Sequence, residues 1–295
     1  MFAPWWGARK GFAPLSTKSS HLRKLLDSPG LIQAPGVFNP LLARLVERVG
    51  FPAVYVSGAG LSNGMLGLPD VGLLSMTEVT RMAGQIARVT SLPVICDADT
   101  GYGGPGMIRR AVEEFIEQGV AGIHLEDQVA DKKCGHLPGK QLVPIQEMVD
   151  RLEAAGGGRT DPDFVLIART DARAGEGFEG ALERAKAYIE AGADMIFPEA
   201  LQSLEEFQKF AESVSVPILA NMTEFGKSPL LTAQELEAAG VKMAIYPQTC
   251  LRIMMKASEE VLHEILERGT QAGVVDKMQT REELYQLLDY EGWKV

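Results

Sequence analysis

Apolar residues in this chain cluster into eight short runs, spaced fairly evenly: LIQAPGVF (31–38), AVYVSG (53–58), PVICDAD (93–99), AGIHLED (121–127), FVLIART (164–170), MIFPEA (195–200), VPILANM (216–222) and MAIYPQ (243–248). Each is rich in β-branched or large apolar side chains and has the length of a strand. Between them the pattern changes period. MIRRAVEEFIEQG (107–119), FEGALERAKAYIEAGA (178–193) and EVLHEILERG (260–269) place apolar residues at helical spacing, with glycine at or near the end, as helix termini favour. GGGR (156–159) reads as a turn between elements, and no Ser/Gly/Pro linker divides the chain. Strand and helix alternating in this way predict an α/β fold built as one (β/α)8 TIM barrel over residues 26–295. A doubly wound sheet would need a glycine-rich first turn, and no GxGxxG follows the first run.

Polar residues sit at the ends of these runs: Ser57, Asp97, Asp99, Glu126, Asp127, Arg169, Asp171, Glu199, Asn221 and Gln248. In a barrel the C-terminal strand ends converge on one mouth, so residues scattered in sequence become one polar cluster in space.

Composition narrows the partners. With 29 Lys and Arg against 39 Asp and Glu, the net charge of −10 argues against a nucleic-acid or anionic-membrane surface. An anionic substrate must then be met by a local cluster of cations. Hydrophobic residues make up 46% of the chain, yet no apolar run is long enough to span a membrane. Three scattered cysteines, Cys96, Cys134 and Cys250, make neither a disulfide framework nor a zinc site and fit a reducing cytoplasm. Residues 1–25 carry Arg9, Lys10, Lys18, Arg23 and Lys24 with no acid before Asp27, which reads as a basic N-terminal arm packed on the domain or on a partner subunit. A transit segment has a similar charge pattern, but Trp5 and Trp6 fit a docked arm better.

Three stretches carry chemistry. In CDADTGYGG (96–104), Asp97 and Asp99 lie two apart and should face one way from a buried strand end, where unpaired charge is costly. Hard divalent cations such as Mg2+ seek such oxygen ligands, with Asp70 and Glu126 as candidates for an outer shell. Arg169, Arg252 and Arg281 are candidates to grip carboxylates, Asn221 and Thr223 to donate to a second one, and Glu199 to pair with an arginine or accept a substrate hydroxyl. The third stretch is KKCGHLPGK (132–140), where Lys132, Lys133 and His136 surround Cys134; nearby positive charge makes a thiol more acidic. Cys96 and Cys250 read as buried core thiols, His124 as a hydrogen-bonded wall residue, and the twelve methionines as core filling.

Taken together, SGAG with GLPD (57–70), DADTGYG (97–103), EDQ followed by KKCGHLPGK (126–140), ARTDAR (168–173), FPEA (197–200), ANMTEFG (220–226) and MQTREEL (278–284) resemble the methylisocitrate lyases of the phosphoenolpyruvate mutase/isocitrate lyase superfamily, from about residue 20 to residue 290. The resemblance implies Mg2+-dependent cleavage of 2-methylisocitrate to pyruvate and succinate, a step of propionate breakdown. It implies metal ligation at Asp97 and Asp99 with Asp70 and Glu126 nearby. It implies substrate contacts at Ser57, Gly58, Ala59, Lys133, Gly135, Glu199, Asn221, Met222, Thr223, Arg252 and Arg281. Cys134 would be the acid/base, with Arg169 and His136 beside it, and Tyr55 is the candidate hydroxyl base. Phe197 and Ile245 stand where isocitrate lyases carry bulkier polar residues, and an apolar pair there would suit an extra methyl, a selectivity worth roughly 1–3 kcal/mol. A barrel whose terminal helix is exchanged between subunits of a homotetramer is implied too. The alternatives are a superfamily lyase acting on oxaloacetate or phosphonopyruvate, an isocitrate lyase-like side activity, or a silent barrel used as a scaffold. The intact aspartate pair, Cys134 and Arg169 argue against the last.

Overall fold

The computed structural model describes residues 16–133 and 139–293. Each of the eight apolar runs contains a strand: β1 (Ile32–Val37), β2 (Val54–Val56), β3 (Val94–Asp97), β4 (Gly122–Glu126), β5 (Val165–Thr170), β6 (Met195–Pro198), β7 (Leu219–Asn221) and β8 (Met243–Tyr246). All pair in parallel in the order β6-β5-β4-β3-β2-β1-β8-β7. A parallel bridge between Ile196 and Ile218 brings β6 to β7, so the sheet is a nearly closed, TIM-like barrel.

Side chains alternate across the sheet, as strand geometry dictates. Tyr55, Ile95, Ile167, Phe197 and Ile245 fill the barrel interior. Val54, Val56, Cys96, Ile123 and Leu166 face the surrounding helices.

The helices are α1 (Ser16–Asp27), α2 (Pro40–Val49), the single turn α3 (Gly58–Gly60), α4 (Met76–Ala87), α5 (Pro105–Glu117), α6 (Ile145–Gly157), α7 (Gly177–Glu190), α8 (Leu204–Ser213), α9 (Ala233–Ala238), α10 (Thr249–Arg268) and α11 (Arg281–Leu287). Local chemistry sets their ends. Ser75 and Thr232 form reciprocal capping boxes with Glu78 and Glu235, and Gly50 and Gly269 close α2 and α10 in the left-handed conformation. The glycines of GGGR belong largely to the last turn of α6 rather than to a free turn. α10 starts well before its predicted range. Its early turns carry Cys250, Leu251 and Arg252 over the strand ends, and the amphipathic signal of 260–269 marks only its second half.

α1 lies across the end of the barrel opposite the mouth. Arg23 donates to the Asp163 and Phe164 carbonyls just ahead of β5 and pairs with Asp194 at 3.0 Å just ahead of β6. Leu22 is fully buried in the interior cluster, with Leu25 and Leu26 packed against it. Among the described residues no helix is long and apolar enough to cross a membrane.

Candidate active site

The strand ends open into a cavity of about 1040 Å³ lined by Tyr55, Ser57, Ala59, Asp70, Asp97, Arg169, Phe197, Glu199, Asn221, Thr223, Gln248 and Arg252, with an outer wall from α10. Three layers of contacts hold these groups.

The first surrounds Asp97 and Asp99. β3 stops at Asp97, and Asp99 lies beyond it at φ 47°, so the two carboxylates do not share a strand face as their spacing suggested. They converge through a tight turn in which the Asp99 N–H donates to Asp97 Oδ1 at 3.0 Å. Gly58 lies against this pair: a Cβ there would be 2.7 Å from Asp97 Oδ2. Ser57 accepts the Gly60 N–H at 3.1 Å and starts α3. Burial alone would raise the Asp97 carboxyl, but His124, Lys132 and Arg169 outweigh it and hold it down at about 2. Asp99 moves the other way, pushed up to about 6 by burial against the pull of Lys132.

Lys132 has a larger part than its place beside Cys134 in the sequence suggests. Its ammonium is buried, 3.0 Å from Asp70 and in contact with Asp99. No local pattern announces this, because the carboxylates that capture it come from loops that follow β2 and β3.

The second layer centres on Arg169. Its guanidinium bonds Asp171 at 3.0 and 3.2 Å, reaches Glu126 at 3.4 Å and Glu199 at 3.3 Å, and lies 5.1 Å from the Phe197 ring centre. Lys140 adds a 2.7 Å contact to Asp171 from the other side. Burial pushes the Glu126 carboxyl up to about 8, and neither of its oxygens accepts a hydrogen bond among the described residues. Asp127, the next residue, faces away from the mouth. It accepts from Thr170 Oγ1, the Asp171 N–H and the Tyr188 hydroxyl at 2.7–2.9 Å and fixes the end of β5 from behind.

The third layer is the wall formed by β7, β8 and α10. Asn221 Nδ2 donates to Glu199 Oε2 at 3.1 Å. Arg252 donates to the Glu224 carbonyl at 2.6 Å, pairs with the Glu224 carboxylate at 3.4 Å and sits over the Phe225 ring at 5.2 Å.

Tyr55 and His124 lie below the metal-type carboxylates, the phenol 2.8 Å from Nε2. Burial and then Asp97 push the Tyr55 phenol well above its ordinary value, and burial lowers His124 to about 4. That direction suits a phenol that keeps its proton and hydrogen-bonds, and runs against its use as a base.

Three expected substrate residues are carried elsewhere. Met222 packs in the outer core between sheet and helices, because it follows Asn221 and so takes the opposite face. Ile245 is buried in the barrel interior, level with Asn221. Arg281 opens α11, which packs near α2, and lines a separate depression with Glu282, Tyr285 and Asp289. Lys133 spends its backbone on Gln128, which bonds both its N–H and its carbonyl. Cys134, Gly135 and His136 lie outside the described residues.

The donor set fits a hard divalent cation. Asp97, Asp99, Glu126, Asp171 and Glu199 are buried together around the mouth, where Arg169 and Lys132 are the cations that reach Asp97 and Asp99 among the described residues. Apart from the 3.4 Å ion pair with Arg169, the Glu126 oxygens accept no hydrogen bond among the described residues. Among the described residues no three His, Cys, Asp or Glu side chains are grouped to hold a metal ion by themselves; Asp97 and Asp99 are the pair that one or two carboxylate ligands of Mg2+ would require.

Comparison with known proteins agrees with this picture. Residues 22–266 match the phosphoenolpyruvate phosphomutase family. A 2-methylisocitrate lyase of Aeropyrum pernix is 50% identical over 95% of this chain and 90% of its own. The solved structure of an oxaloacetate acetylhydrolase with 3,3-difluorooxalacetate superposes with a TM-score of 0.89 at 37% identity, covering 94% of this chain and 95% of that one. A phosphonopyruvate hydrolase solved with oxalate and Mg2+ gives a TM-score of 0.83 at 33% identity over 93% and 95% of the two chains.

Replacing Arg169 by Met should cost about 3–5 kcal/mol of unfolding free energy, because three buried carboxylates lose their common cation. Urea unfolding of the two proteins side by side measures it, and a loss below about 1 kcal/mol, the scale of a surface pair, would show that the cluster is solvated rather than buried.

Proposed function

The chain belongs to the phosphoenolpyruvate phosphomutase family, and from that premise we infer that it is a carbon–carbon lyase cleaving 2-methylisocitrate to pyruvate and succinate. The observation that carries the reading is the identity, along nearly the whole chain, to a 2-methylisocitrate lyase. The solved relatives named for other acids are less similar, which keeps oxaloacetate and phosphonopyruvate as secondary candidates.

The reaction removes a proton from a tertiary hydroxyl. The O–H electron pair becomes the carbonyl of pyruvate, the C–C pair passes to the neighbouring carbon, and that carbanion takes up a proton to become succinate. Asp97 and Asp99, with Asp70 and Glu126 around them, would hold Mg2+, which when bound supplies charge stabilisation at the oxygens of the pyruvate half. Ser57, Gly58 and Ala59 bring backbone and a small hydroxyl against that half. Arg169, fixed by Asp171 and Glu199, offers a preorganised positive charge that need not reorganise as the bond breaks. Asn221, Thr223 and Arg252 on the far wall suit the carboxylates of the succinate half. Tyr55, with its proton firmly held, is cast as a hydrogen-bond donor. Cys134, set among Lys132, Lys133 and His136 in the sequence, is cast as the acid that protonates the carbanion.

Assembly belongs to the same proposal. Along α10 only Leu251 is buried, while Ile253, Leu262 and Leu266 are 65%, 66% and 82% exposed. Such a bare apolar stripe on a long helix supports its exchange with another subunit of a homotetramer.

Pyruvate release assayed over 2-methylisocitrate, isocitrate and oxaloacetate should be fastest for the first, stop with EDTA and return with Mg2+. Preference for another acid, or indifference to EDTA, would overturn the substrate or metal assignment respectively. Cys134→Ser should lose at least about 100-fold in kcat, the scale of general acid catalysis, while binding Mg2+ as before; turnover near that of the parent would remove the acid role. Light scattering should give the mass of four chains, and Leu262→Glu with Leu266→Glu should lower it; a monomeric parent chain would exclude the exchange.

A further inference from the structure

Gln248 has no task in the account so far. It follows β8 and Pro247 and stands at the N-cap of α10, where polar side chains usually bond a free backbone N–H. Here the side chain makes no such bond. The residue is 7% exposed, it lines the mouth cavity, and its Nε2 has no hydrogen-bond partner among the described residues. A buried amide donor left unmade is costly, and this one lacks an acceptor among the described residues, which points to an acceptor brought by a ligand.

Its backbone is held firmly. Pro247 presses against β1 so closely that a Cβ on Gly36 would fall 2.3 Å from the Pro247 carbonyl oxygen. The barrel order also fixes which wall Gln248 occupies. Counting round the sheet, β7 lies across from β3, and β8 across from β4. Gln248 therefore stands with Asn221, Thr223 and Arg252, facing the Asp97–Asp99 and Glu126 wall across the cavity. A substrate whose oxygens meet the acidic wall through a cation must present its far carboxylates to the Gln248 side.

We propose that Gln248 is a specificity-determining residue whose carboxamide N–H donates to a carboxylate on the half of the substrate that leaves as succinate. The assignment rests on the reading of the reaction given above. Both hydrogens of Nε2 are available, so one can reach the carboxylate and the other a solvent molecule or a second oxygen. The interaction is neutral donor to anion, stronger than an amide pair and sensitive to charge.

The test uses the full-length enzyme with Mg2+ and the variants Gln248→Leu and Gln248→Glu. Gln248→Leu should raise KM for 2-methylisocitrate and the inhibition constant of succinate about 10-fold, and Gln248→Glu should raise both further by like-charge repulsion. Inhibition by pyruvate should not change. The melting temperature of Gln248→Leu should hold or rise, because the side chain makes no hydrogen bond to lose. Unchanged KM and succinate inhibition in both variants would overturn the proposal, and so would a lowered melting temperature with equal weakening of succinate and pyruvate, which marks a structural role. A parent enzyme that does not turn over 2-methylisocitrate would overturn the reaction instead. Calorimetric titration of succinate into parent and variants then decides on Gln248 by itself, since equal affinities or no binding to the parent refute it.

Discussion

The buried guanidinium of Arg169 is the interaction on which the mouth of this barrel depends. Carboxylates from three different strand ends, Glu126, Asp171 and Glu199, lie within 3.0–3.4 Å of it. Placing that many acids in a low-dielectric pocket is unfavourable unless a cation is already fixed among them. With Arg169 in place the acids become useful: Asp171 holds the guanidinium on one side and Lys140 on the other, and Glu199 orients Asn221. Negative charge is held most firmly at Asp97, which with Asp99 and Glu126 lies on the opposite side from Asn221 and Gln248. One polarised cavity results, acidic on the β3–β4 wall and donor-rich on the β7–β8 wall.

Much of this was legible in the sequence. The length and apolar content of the runs located all eight strands, and the polar residues closing most of them identified the mouth, since Asp97, Arg169, Glu199, Asn221 and Gln248 do line it. Parity explains part of what was misread. Met222 follows Asn221 and Asp127 follows Glu126, so each points outward to the helices; alternation along the strand could have told them apart. Other features were not legible in one dimension. Lys132 and Lys140 are captured by acids just past the ends of β3 and β5, and nothing in KKCGHLPGK says which lysine is buried. Asp99 reaches its partner by a left-handed turn rather than along a strand. Whether Arg281 stands at the mouth depends on how the chain travels after α10, which local pattern does not encode.

α10 carries the wall of the site outward from the strand ends. Its first turns deliver Leu251 and Arg252 to the cavity, and its later turns extend the same wall with Leu262 and Leu266, both largely exposed. A single helix thus runs from the buried strand ends out to an uncovered apolar face. The large volume of the cavity follows, because its outer wall is this half-covered helix rather than a packed layer. Arg252 is meanwhile held by Glu224 and Phe225, so a substrate carboxylate must compete with a carboxylate already present.

The plug at the opposite end has a chemical meaning of its own. Leu22 of α1 fills the floor of the barrel, and the interior above it is packed with Ile95, Ile167, Phe197 and Ile245. The vessel has a stopper, and solvent cannot seep upward to the reacting carbons. A carbanion formed above such a floor is shielded from water on its lower face, so its proton has to descend from above the strand ends. Strands can reach that space only from the side; a loop arching over the rim can reach it from the top. The leucine at the bottom of the barrel therefore leaves the rim as the side from which a proton donor can approach.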